Sequence, residues 1–157
     1  MHDAKLMKVY LVQHAKPKSK EEDPDRPLSD EGKNDIIKIV KFLPQLNIKK
    51  FLHSGKLRAQ QTAEILAKSL KAEVINGDAL EPLADPVIWA QRLDKESEDV
   101  MLVGHLPHLA KLASLLLCKD EDKQVISFNQ GGVICLEKTD GWSVSWIVTP
   151  HLVHNIS

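Results

Sequence analysis

What most constrains this chain is an alternation of short apolar runs with longer amphipathic stretches. Lys8 to Gln13 (KVYLVQ) is β-branched and aromatic and reads as a strand; Ile48 to His53, Glu73 to Ile75 and Asp99 to Val103 read the same way. Between them lie helical patterns. Ser29 is placed to cap a helix with Asp30 and Glu31 in its first turn. Ile36, Ile37, Val40 and Leu43 then form its apolar face, and Pro44 ends it. A second helix covers Lys56 to Leu70, with Ala59, Ala63, Leu66 and Leu70 on one side. A third covers Pro86 to Leu93 behind Asp85 as its cap. In the fourth, Pro107 takes the first position and Leu109, Leu112, Leu115 and Leu116 supply the stripe. Ile134 to Glu137 and Trp142 to Val148 flank Thr139, Asp140 and Gly141 as a hairpin, while Lys16 to Pro27 is a charged loop. This order predicts an α/β protein: a three-layer α/β/α sandwich with a mostly parallel central sheet and a C-terminal hairpin.

A chain of 157 residues suits one domain spanning 1–157, expected to be monomeric. A net charge of -1 and 4% aromatic residues argue against a nucleic-acid partner, which needs a basic surface and stacking platforms. The apolar run Val9 to Val12 is too short for a signal segment or a span, so no membrane partner and a cytoplasmic location are expected. Cys118 and Cys135 sit in apolar runs and read as reduced core thiols.

In open α/β sheets, ligands sit at the carboxyl ends of the strands. Gln13-His14-Ala15 follows the first strand, His53-Ser54-Gly55 the second, with Arg58 a turn into the next helix, and Gly104-His105 the fourth. Histidines and an arginine converging on one edge suit an anion, most naturally phosphate. A neutral imidazole can attack phosphorus and carry a phosphoryl group, splitting one hard displacement into two easier ones. Catalysis is then mostly positioning plus cationic donors to the phosphoryl oxygens. This scheme calls for no metal and no cofactor.

The segments LVQHAK, SGKLRAQQTAEIL and VMLVGHLPHLAKL resemble the three signatures of the histidine phosphatase superfamily, which includes phosphoglycerate mutases. RPLSDEG and the ending GGVICLEKTDGWSVSWIVTP are similar to its short SixA-type phosphohistidine phosphatases. The resemblance runs from about residue 7 to 150 and implies a phosphoglycerate mutase-like fold in a single histidine phosphatase-like domain. It implies His14 as the phosphorylated nucleophile, Arg58 and His105 as its catalytic partners, and Arg26 as a further phosphate-binding arginine. It also implies a phosphohistidine-bearing protein, or a small phosphate ester, as substrate. One position departs: Gln13 stands where the family carries arginine. Losing a cationic donor from such a site slows turnover by about 10²–10³-fold.

Glu81 is the best candidate general acid and Asp85 the second. A phosphoramidate releases imidazole, a far better leaving group than an alkoxide, so a poor acid biases the site toward phosphohistidine. Two rival readings stand beside this one. Gln13 favours a catalytically weak or inactive phosphate-binding module. The His105/His108 and His151/His154 pairs favour a metal-dependent hydrolase, though no third ligand stands at familiar spacing.

Overall fold

The computed structural model describes residues 6–156. Strand β1 (Lys8–Gln13) leads to helix α1 (Asp30–Phe42), then β2 (Lys50–His53), α2 (Leu57–Ala67), β3 (Glu73–Asn76) and α3 (Pro86–Lys95). Strand β4 (Val100–Gly104), α4 (His108–Cys118), β5 (Val133–Lys138), β6 (Trp142–Val148) and α5 (Pro150–His154) complete it. The six strands form one sheet in the order β3-β2-β4-β1-β5-β6. The first four run parallel, and the β5–β6 hairpin joins β1 antiparallel.

Strand alternation sorts the core into two layers. Tyr10 and Val12 face α1, α2 and α5, where Ile36, Ile39, Ala63, Leu66 and Val153 bury their side chains. Val9 and Leu11 face α3 and α4, where Leu93, Leu109, Leu112 and Leu116 do the same. The result is the three-layer α/β/α sandwich with a mostly parallel sheet. Among the described residues, no helix is long and apolar enough to cross a membrane.

Local signals set most boundaries. Ser29 accepts from the Gly32 amide, and Asp85 accepts from the Val87 amide. Gly32 is also needed for close approach, because α1 presses against the Lys16 backbone and a Cβ there would collide with the Lys16 carbonyl oxygen.

Several expectations need correction. Ile37 is 48% exposed, and Ile39 takes its place in the buried face of α1. The sheet lies on the side of Ile36 and Ile39, a step around the helix from the face that spacing suggested. Pro107 precedes α4 as its cap residue instead of opening it. Cys118 ends α4 exposed, so only Cys135 is a core thiol; burial pushes its thiol pKa up to about 11. Lys16 to Pro27 is a loop as expected, and it is closed by Lys18 N–H to Pro27 O (2.8 Å) and Ser29 N–H to Lys16 O (3.0 Å). Helix α5, which the sequence reading missed, is one short turn capped by Thr149.

Candidate active site

The sheet register assembles the site. Gln13 pairs with Gly104 as the last partners of β1 and β4, and the His14 amide extends the ladder to Gly104 O at 3.0 Å. His14 and His105 therefore leave adjacent strands side by side, their rings 5.0 Å apart and tilted by 51°. On the far side of β4, His53 pairs with Val103, so Ser54 emerges level with Gly104, one residue before His105. The Ser54 Oγ lies 2.6 Å from His105 Nε2.

Each ring is held. His14 Nδ1 donates to its neighbour's carbonyl, Ala15 O, at 2.8 Å, which leaves Nε2 with the lone pair. The Ala15 amide donates to Thr62 Oγ1 at 3.0 Å, and Thr62 donates in turn to Arg58 O at 2.8 Å. Thr62 thus fastens the first turn of α2, and with it Arg58, to the segment carrying His14. Arg26 adopts a left-handed backbone (φ 49) inside the closed loop, and its Nε donates to Lys18 O at 3.2 Å. A non-glycine residue stays in that conformation only where its surroundings hold it.

The electrostatics are those of an anion site. Burial, reinforced by the Arg58 and Arg26 cations, pushes the His14 pKa down to about 4. Burial, then the neighbouring His14, Arg58, Lys56 and His108, pushes His105 down to about 3. Arg58 is itself lowered by burial and by Arg26. Among the described residues neither arginine is ion-paired with a carboxylate, so Arg58 does not pair with Glu64. Two guanidiniums crowded beside two neutral imidazoles leave a surplus of positive field. Gln13 Oε1, Arg58 Nε and His105 Nδ1 are buried without a partner.

The structure thus brings together His14, Arg58, His105 and Arg26, with Gln13 at the end of β1. Glu81 is not among the charges that act on His14, Arg58 or His105. Glu81 is exposed, and its charge and that of Asp85 bear instead on His108. Asp85 is further committed to capping α3 (3.0 Å to Val87 N). Lys16 is turned away to Glu31, 2.7 Å from Oε2 on the surface. Ser54 and Thr62 escaped the sequence reading, since hydroxyls carry no signal until register shows what they face. Among the described residues, no three His, Cys, Asp or Glu side chains gather where they could hold a metal ion.

Comparison with known proteins bears on the family likeness and the fold. Residues 9–83 match the sequence model of the histidine phosphatase superfamily (branch 1). The probable phosphoglycerate mutase GpmB of Cronobacter sakazakii is 28% identical over 99 residues, 60% of this chain and 46% of that relative. The chain therefore spans about half the length of that curated relative. Among solved structures, the protein histidine phosphatase SixA complexed with tungstate superposes with a TM-score of 0.81 at 20% identity, over 94% of this chain and 99% of that one. A putative alpha-ribazole-5'-P phosphatase from Escherichia coli K-12 superposes at 0.78 with 13% identity, over 92% and 98%. Residues 9–83 thus resemble the histidine phosphatase superfamily in sequence, and along nearly its whole length the chain shares the fold of these solved structures.

Proposed function

We propose that this chain is a metal-independent phosphatase that hydrolyses phosphohistidine on proteins through a phospho-His14 intermediate. The observation that carries the reading is the state of His14. Its Nδ1–H is engaged by Ala15 O, its pKa sits near 4, and two unpaired guanidiniums stand beside it. A neutral ring with Nε2 free is a nucleophile at physiological pH without any base to deprotonate it.

The sequence of steps is short. His14 Nε2 attacks phosphorus in line, forming an N–P bond. The substrate's own N–P bond breaks, and its electron pair leaves on an imidazole whose other nitrogen already bears a proton. Arg58, Arg26 and His105 hold the phosphoryl oxygens; a dianion beside His105 favours its protonation and adds a donor. Water then attacks phosphorus, the electron pair returns to Nε2, and the water's proton leaves on phosphate or to solvent. An imidazole leaving group needs no strong acid, so the step makes no demand on Glu81. The fold likeness to SixA supports the same substrate class, although the mutase and ribazole phosphatase relatives share the architecture.

Acid-labile phosphate trapping tests this directly. Mass spectrometry of the chain quenched during turnover should find one phosphoryl group, absent in His14→Ala. A label that survives His14→Ala sinks the mechanism. Phosphate release should be the same with and without chelator; a chelator-sensitive rate would return the metal-dependent reading. The buried, unpartnered Gln13 Oε1 favours the second reading, a phosphate-binding module. Phosphate binding with no release from any substrate would establish that reading instead.

A further inference from the structure

Ser54 has no part in the chemistry so far, yet it holds the one nitrogen of His105 that has a partner. It follows β2 and is buried, and its Oγ lies 2.6 Å from His105 Nε2. The Lys56 amide donates to the same Oγ at 3.3 Å, which uses one of the hydroxyl's two lone pairs. Among the described residues, His105 Nε2 is then the only acceptor that meets the hydroxyl hydrogen. While the ring is neutral, Ser54 therefore donates to Nε2, and the ring carries its proton on Nδ1.

A hydroxyl can reverse that bond. Turning about Cβ–Oγ presents its second lone pair, which accepts from Nε2–H once the ring is charged. Bonds to a charged partner are roughly twice as strong as neutral ones, so the reversed bond favours the charged ring. The charges around His105 all oppose it: His14 from the end of β1, Arg58 and Lys56 from the start of α2, and His108 from α4. No carboxylate is among them, because Glu81 and Asp85 act on His108.

We propose that Ser54 is a positioning residue for phosphoryl transfer. By turning from donor to acceptor at Nε2, it lets His105 take a proton from water when a phosphoryl dianion docks beside His14, and return it when phosphate leaves. The proposal rests on the reading of the chain as a phosphatase and adds how His105 gains its charge in surroundings that oppose it. The dianion supplies the attraction, Ser54 supplies the acceptor, and Arg58 stays a permanent cation throughout.

Nitrogen NMR of the imidazole rings tests this apart from turnover. In the unaltered chain at neutral pH without phosphate, His105 should carry its proton on Nδ1 and leave Nε2 bare. A proton found on Nε2 overturns the proposal with no variant needed. Saturating inorganic phosphate should raise the His105 pKa by about one to three units. In Ser54→Ala that rise should shrink by about one unit, and in Ser54→Thr, which keeps a hydroxyl, it should return. Turnover gives the second readout. The steady-state kcat should fall as the pH climbs through the phosphate-loaded pKa of His105, and in Ser54→Ala the fall should begin about one unit lower. A side chain that only fills space would move neither value. An equal rise in Ser54→Ala, or a rise lost alike in Ser54→Ala and Ser54→Thr, overturns the role of Ser54 even if turnover is fast. A rise that depends on the hydroxyl, in a chain that releases phosphate from no substrate, keeps the Ser54 switch and removes the phosphatase reading instead.

Discussion

The chain holds two His-x-x-His pairs, and they come to rest in opposite surroundings. His105 and His108 straddle the end of β4 and the start of α4, 2% and 0% exposed, His105 in the field of Arg58 and Lys56 and His108 in that of Glu81 and Asp85. His151 and His154 lie on the exposed turn of α5. There His154 Nε2 meets Asp35 Oδ1 at 2.7 Å, and Lys38 Nζ donates to its Nδ1 at 3.1 Å. One pair is buried and short of partners; the other is wet, and its His154 clasps α5 to α1. Identical spacing says nothing about chemistry until burial and neighbours are known.

That contrast can be broken most sharply by activity. His105→Ala should lower kcat by about 10²–10³-fold, the scale of losing one oxyanion donor, whereas His151→Ala should leave it within about twofold. Equal losses in a steady-state phosphatase assay would erase the distinction. The next effect runs the other way. Gln13→Arg restores a cation at the end of β1 and should raise turnover about tenfold or more. If the arginine variant is no faster, the position is not a damaged one.

Stability sharpens the same comparison. His108 is wholly buried with both ring nitrogens unpartnered, and burial lowers its pKa. His108→Leu removes an unsatisfied polar group at similar volume and should add about 1–3 kcal/mol in urea unfolding. Acid separates the pairs too. His14 and His105 take up protons near pH 6.5 when unfolded but only near pH 4 and 3 when folded. Between those values the unfolded chain holds more protons. Stability is therefore complete above pH 6.5, falls as the pH drops, and levels off below about 3, each ring contributing up to about 1.4 kcal/mol per pH unit. His105→Asn should flatten that fall. The smallest effect belongs to the exposed clasp: His154→Ala should cost about 0.5 kcal/mol, read from the same urea midpoints.

Much of this is legible in the chain itself. Strand ends at Gln13, His53 and Gly104 follow from where β-branched runs stop, and the caps at Ser29 and Asp85 follow from their hydrogen-bonding side chains. What stays hidden depends on pairing between distant segments. Spacing alone places Ile37 inward, because a helix pattern offers adjacent faces and only the sheet decides between them. Ser54 and Thr62 look like any loop and helix hydroxyl until β2 is set against β4 and α2 against Ala15. Glu81 has the right charge, but which ring that charge acts on is a property of the loop, and it acts on His108.

The place of β4 in the sheet has a consequence for how the molecule comes into being. It lies between β1 and β2, yet follows both in the chain, so His14 and Arg58 are synthesised long before the strand that separates their own. A nascent chain reaching only residue 83 has no native neighbour for β1 on that side. Long-range parallel pairing is slow to form because loop closure must come before any contact offsets it. Catalytic competence should therefore arrive late and all at once in refolding, with the docking of a single strand.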